Sequence, residues 1–172
     1  ILIPHLRKAL QLNDMRSALV DSAFFIAYFV MALPAGALMK RFGYRVGIVG
    51  GLLLFATGTF LFWPAATLRS YPFFLSALFI IASGLTFLET AANPYISVLG
   101  DPATAPRRLN FAQAFNGLGA ALAAWFGGHF ILSGKELNEE DLKAMAPDAL
   151  DAYFTSEALA VRMPYLIIGL VV

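Results

Sequence analysis

The sequence predicts an all-α integral membrane protein. Two observations carry that class. Of its 172 residues, 59% are hydrophobic and only 13% charged, and its mean hydropathy is +0.72. A soluble domain averages about 45–50% apolar and about 25% charged. The apolar residues are also gathered into four long runs, each of at least the roughly 20 residues that carry a helix across a bilayer. With no Cys in the chain, a disulfide framework, a thiolate metal site and a cysteine nucleophile are excluded. The two His, at positions 5 and 129, lie too far apart to read as a zinc pair. A net charge of +1 offers no nucleic-acid footprint.

Taken in order, Ile1–Pro4 reads as the tail of a first span and His5–Arg16 as a polar connection. The chain opens without Met or a basic leader and closes on apolar residues, as a piece of a longer protein would. The first full span is Ser17–Met39, with Asp21 near one end and Pro34 inside, where a kink is expected. A short basic turn, Lys40–Arg45, leads to Val46–Ala66, in which Gly47, Gly50, Gly51 and Gly58 allow close helix approach. Trp63 stands near its end, where an interfacial aromatic belongs. Pro72–Leu99 is the third span. Leu109–Leu132, rich in Gly and Ala, is the fourth, and Met163–Val172 opens a last one.

Between the last two spans, residues 133–162 carry seven acids and read as a solvated outer loop. Asn138 ahead of Glu139, Glu140 and Asp141 has the look of a helix cap, and Leu142, Met145, Leu150, Tyr153 and Phe154 could give short surface helices. The turns at 40–45 and 100–108 hold five Lys and Arg in 15 residues, a density that places them on the cytoplasmic side.

Of the 11 acids, only Asp21 and Glu89 fall inside apolar spans. Asp21 is close enough to an end to reach the interface. Glu89 is ten residues from Leu99, so about 15 Å deep at the helical rise. A charge at such depth costs about 2.5–3.5 kcal/mol on insertion scales and marks a pathway or a site. Thr86 and Asn93 share its helix face, and Pro94 leaves the carbonyl of Thr90 without a donor. On the next span, Asn110, Gln113 and Asn116 recur along one side. Gln113 and Asn116 are expected to meet Glu89 at matching depth, and amides that donate and accept suit a neutral polyhydroxylated ligand. Asn110, nearer the interface, reads as a cap. Tyr28 and Phe25 could present an apolar face to a sugar ring. The competing reading is interhelical hydrogen bonding with no ligand, and His129 reads as interfacial.

Leu88-Glu-Thr-Ala-Ala-Asn-Pro94, then Val98-Leu-Gly-Asp-Pro102, then Arg108-Leu-Asn-Phe-Ala-Gln-Ala-Phe-Asn-Gly117 resemble the fucose/glucose–galactose permease family of the major facilitator superfamily. Ser22–Phe29, Pro34-Ala-Gly36 and Leu61–Ala66 resemble it too, so the likeness runs along essentially the whole chain. The superfamily's loop signature, G-x-x-x-D-R-x-G-x-R, is matched by Gly36, Arg41, Gly43 and Arg45, with Lys40 in place of the acid. That exchange puts the motif's usual charge relay in doubt.

The resemblance implies the N-terminal six-helix half of a transporter, incomplete over residues 1–172. Its helices would be 17–39, 46–66, 72–99, 109–132 and 163–172. It implies proton-coupled sugar symport across a bacterial inner membrane, L-fucose first, with glucose/galactose or N-acetylglucosamine as alternatives. A non-transporting sugar sensor is the rival class. It implies that Glu89 carries the proton and faces the sugar, that Gln113 and Asn116 contact the sugar, and that Asn93 and Tyr28 stand beside them. An essential acid on the family's first helix would lie just before Ile1. The implied partners are a small neutral sugar, the lipid bilayer and the C-terminal half, with no nucleic acid, and no cofactor is implied beyond the coupling proton. Enzyme chemistry is not expected, since no nucleophile–base or metal motif stands out.

Overall fold

The computed structural model describes residues 13–130 and 145–172. They form α1 (Asp14–Phe42), α2 (Tyr44–Leu68), α3 (Tyr71–Val98), a 3-10 turn (Pro102–Thr104), α4 (Ala105–Phe130), α5 (Pro147–Ala160) and α6 (Arg162–Val171). α1 starts three residues ahead of the expected Ser17 because a cap is available. The Asn13 side chain accepts the Arg16 N–H at 2.8 Å, and Asp14 places a negative charge in the first turn. The helix then runs through Pro34 to Phe42.

Only Gly43 separates α1 from α2. Its φ of 84° and ψ of 166° lie in a region that is essentially reserved for glycine, and its N–H donates to the Met39 carbonyl at 2.8 Å. Gly43→Ala is therefore expected to destabilise the fold by about 1–3 kcal/mol. A thermal-shift measurement in detergent would read this as a lower midpoint. An unchanged midpoint would mean that the turn does not need glycine.

α3 is the central element. Its Phe74, Ala77, Leu78 and Ile81 join Val20 of α1 and Phe62, Ala65 and Ala66 of α2 in one buried cluster. Nearer its other end, Phe87 and Ala91 pack with Ala35 and Met39 of α1. The seam between α2 and α3 is backbone against backbone. A Cβ on Gly84 would fall 2.6 Å from Phe55 N and 2.7 Å from Gly51 O, and one on Gly58 would fall 2.7 Å from Ile81 N. Gly47 gives way to the Met39 side chain in the same manner, whereas Gly50 has nothing within 4 Å.

The α2–α3 connection is also tight. Arg69 adopts the left-handed region (φ 46°, ψ 39°), where glycine is the usual occupant. Ser70 N–H donates to Ala65 O at 3.2 Å, closing the end of α2. The Arg69 side chain reaches Asp151 Oδ1 at 2.5 Å and Thr155 Oγ1 at 3.4 Å on α5.

The described part of the expected outer loop, residues 145–162, is largely helical and partly buried. From Pro147 the chain is helical, and only Val161 interrupts it before α6. Phe154 and Ala158 are buried, and Val161 is fully so. Tyr165 stacks on Phe62 with ring centroids 4.0 Å apart, and the Arg162 guanidinium lies 3.1 Å over the Trp63 ring. Positions 154, 158, 161 and 165 recur at helical spacing and form one stripe toward α2. Asp151, one turn before Phe154, pairs with Arg69 at the end of α2, and with Asp148 and Glu157 it gave the segment its loop-like composition. α6 begins at Arg162, one residue from the expected Met163, and α5 precedes it as a separate helix. The proposed cap at Asn138 and the acids after it lie outside the described residues.

By length and composition, α1, α2, α3 and the stretch Pro147–Val171 could each cross a membrane. α4, which holds the described part of the expected span 109–132, is not among them over its described residues. It begins at Ala105 rather than Leu109, and Phe111, Phe115, Leu118, Leu122 and Trp125 along it are exposed. Its Gly117 and Gly119 have nothing within 4 Å, so its small residues do not serve close packing among the described residues. His129 stacks on Trp125 near the end of α4, with ring centroids 5.6 Å apart.

Candidate functional site

The helical geometry of α3 sorts its polar residues onto two sides. Thr86 is turned into the core, and its hydroxyl is spent on the Ala82 carbonyl at 2.8 Å. Glu89 and Asn93, one turn apart, are exposed in this chain. Pro94 follows inside the helix, which continues to Val98.

Glu89 receives its hydrogen bond from α1. The Tyr28 hydroxyl donates to Glu89 Oε1 at 3.2 Å. The Tyr28 ring lies beside Phe24, centroids 5.3 Å apart, which leaves the hydroxyl as the end that reaches α3. Tyr28 therefore enters the site through its oxygen, not through the apolar ring face expected from the sequence. Phe25 is exposed on the same helix.

Asn93 is met from α4. Gln113 Nε2 donates to Asn93 Oδ1 at 3.0 Å, and Asn116 Nδ2 lies 3.5 Å from Gln113 Oε1. This corrects the expected pairing. The amides of α4 bond to Asn93 and to each other rather than to Glu89. The register explains the difference: the α3–α4 connection is short, so α4 leaves α3 from its end and its amides come level with the residue one turn nearer that end. The result is a discontinuous polar line, Tyr28–Glu89 and Asn93–Gln113–Asn116, that runs from α1 across α3 to α4.

Glu89 sits on the open side of α3. Its face of α3 is covered only on the α1 side, so the carboxylate is open to its surroundings in this chain. Chemically the line offers one group that can gain and lose a proton and a run of amides that both donate and accept. Among the described residues no group of three His, Cys, Asp or Glu could hold a metal ion. The loop-signature residues stand apart from this line. Gly43 forms the turn, Arg41 lies over the Phe42 ring at 5.1 Å, Arg45 is exposed and Gly36 has nothing within 4 Å.

One residue near the site escaped sequence reasoning. Arg108 entered that reading as a cytoplasmic charge and as the first residue of a family-like string, with no role of its own. Its Nε donates to Ile96 O at 3.2 Å, its Nη2 to Ser97 O at 3.0 Å, and its Nη1 to Asp101 O at 3.0 Å and to Thr104 Oγ1. Its place just past a loop and at the start of a helix was the available signal, since carbonyls at a helix end need donors.

Comparison with known proteins adds to this geometry. The model of the Major Facilitator Superfamily matches residues 1–171. The chain is 47% identical over 173 residues to the L-fucose-proton symporter of Escherichia coli, covering all of this chain and 40% of that protein. It is 49% identical over 170 residues to a glucose/galactose transporter of Brucella abortus, covering 99% of this chain and 38% of that one. A crystal structure of the transporter FucP in the outward conformation superposes with a TM-score of 0.86 at 46% identity, over 98% of this chain and 41% of that chain. The chain thus spans about two fifths of the length of the relatives it matches.

Proposed function

This chain belongs to the Major Facilitator Superfamily, and from that premise we propose that it is the N-terminal part of a proton-coupled sugar symporter with L-fucose as its first substrate. The observation that carries the proposal is the line of groups from Tyr28 to Asn116. It sets one protonatable carboxyl beside amides suited to a neutral sugar. The names of two relatives, an L-fucose-proton symporter and a glucose/galactose transporter, point to the same ligand class.

The mechanism follows from charge. Protonated Glu89 is neutral and can donate to a sugar hydroxyl, while Gln113, Asn116 and Asn93 exchange their mutual hydrogen bonds for bonds to the sugar. Loss of the proton toward the cytoplasm leaves a bare carboxylate at the site and favours sugar release. Halves of this superfamily place their site at the midplane, between the two halves. The open face of Glu89 suits closure by a C-terminal half, and the setting is a bacterial inner membrane.

The test is proton uptake by cells or vesicles carrying the full-length protein, offered L-fucose, glucose, galactose or N-acetylglucosamine in turn. External alkalinisation on addition of L-fucose is expected. Alkalinisation with glucose or galactose instead would favour the second substrate reading, which the 49% identity to the glucose/galactose transporter supports. Sugar counterflow without alkalinisation would remove proton coupling. Absence of counterflow with every sugar would leave a sensor rather than a transporter.

A further inference from the structure

Arg108 is spent on the joint between α3 and α4. Two of its bonds go to Ile96 and Ser97, in the last turn of α3, where carbonyls lack a helical partner. The other two go to Asp101 and Thr104, at the start and end of the 3-10 turn. That turn is itself ordered, since Asp101 Oδ1 accepts the Ala103 N–H at 2.9 Å and Thr104 Oγ1 donates to Asp101 O at 3.0 Å. One guanidinium therefore gathers the end of α3, the connection and the first turns of α4. Gly100 leaves the room for it, because a Cβ there would lie 3.1 Å from Arg108 Nη1. A Lys ammonium, with its three donors at a single point, cannot span these four acceptors.

What this joint holds is the amide side of the site. α4 is exposed along most of its length. Its polar ties to α3 include the Arg108 bonds and the bond from Gln113 to Asn93. Gln113 stands five residues beyond Arg108, about 7.5 Å along the helix, so a tilt at the joint passes directly to the amide. Glu89 is held from the opposite side, by Tyr28 on α1.

We propose that Arg108 is a positioning residue for sugar: it sets the angle at which α4 leaves α3 and so the spacing between Asn93 and the Gln113–Asn116 pair. This rests on the sugar-symport reading of the site and adds a division of labour to it. The joint governs sugar affinity, and the Tyr28–Glu89 pair governs proton coupling.

The test uses Arg108→Ala and Arg108→Lys in the full-length transporter. In both, the sugar concentration for half-maximal counterflow is expected to rise roughly tenfold, the scale of one weakened hydrogen bond. Proton-driven accumulation at saturating sugar is expected to persist. Spin labels on Val98→Cys and Phe111→Cys give a second readout, and their distance distribution is expected to broaden in the Arg108→Ala background.

An unchanged distance distribution would overturn the proposal. So would a broadened one with unchanged half-saturation, or a lower melting temperature with neither change, because Arg108 would then be a helix cap and nothing more. Loss of proton coupling in these variants would overturn the division of labour. A wild-type protein that transports none of the sugars would instead overturn the symport reading, and this proposal with it.

Discussion

Glu89→Gln in the full-length transporter is expected to abolish proton-driven sugar accumulation while sparing counterflow. Glutamine keeps the length of the side chain, can still accept from the Tyr28 hydroxyl, and can still donate to a sugar. It imitates the protonated carboxyl permanently and cannot release a proton. A potential of 100 mV is worth about 2.3 kcal/mol per coupled charge, roughly a fiftyfold sugar gradient. The variant should fall to a ratio of about one. Uptake against a gradient in the Glu89→Gln protein, driven by a pH step, would remove Glu89 from the coupling step. Loss of counterflow along with accumulation would assign the residue to sugar binding alone.

The second large effect is structural. Gly84→Leu should prevent the bundle from forming, because its side chain would have to occupy the place of Phe55 N and Gly51 O. Overpacking costs typically 1–3 kcal/mol when side chains can shift. Here the obstacle is the backbone of the neighbouring helix, which can yield only by separating α2 from α3. The matched control is Gly50→Leu on α2, a position with nothing within 4 Å. Size-exclusion chromatography in detergent should show a monodisperse peak for the control and aggregate for Gly84→Leu. Equal behaviour of the two would mean that the seam is not a backbone contact.

The contrast between Gly84 and Gly50 also shows what a sequence can and cannot carry. Apolar runs and their spacing were enough to place α1, α2 and α3 to within a few residues, because membrane helices must satisfy their own backbone. Which glycines lie at a helix seam was not legible, since Gly50 and Gly51 are neighbours and only the rotation of α2 separates their roles. In residues 145–162 the short helix expected around Leu150, Tyr153 and Phe154 is present as α5, but the acids interleaved with its apolar residues concealed the burial of Phe154 and Ala158.

The site was partly legible in the same way. Depth along a helix put Glu89, Gln113 and Asn116 in one neighbourhood. It could not say that Gln113 would bond to Asn93, because that depends on the angle between two helices. Tyr28 was read by its ring because apolar neighbours surround it in sequence, although its hydroxyl makes the contact. Arg108 looked like any basic loop residue, and its acceptors are backbone carbonyls, which carry no sequence signature.

The very short connections have a consequence for how the chain assembles. Gly43 alone joins α1 to α2, Arg69 and Ser70 join α2 to α3, and Val161 alone joins α5 to α6. Neighbours in sequence are therefore neighbours in space, and local contacts form fastest because little loop entropy is lost in closing them. A chain emerging from the ribosome at about 5–20 residues per second can pair α2 with α3 as soon as both have emerged. The glycine seam would then be laid down before α4 is complete, and α6 later docks against α2 through Phe62 and Tyr165.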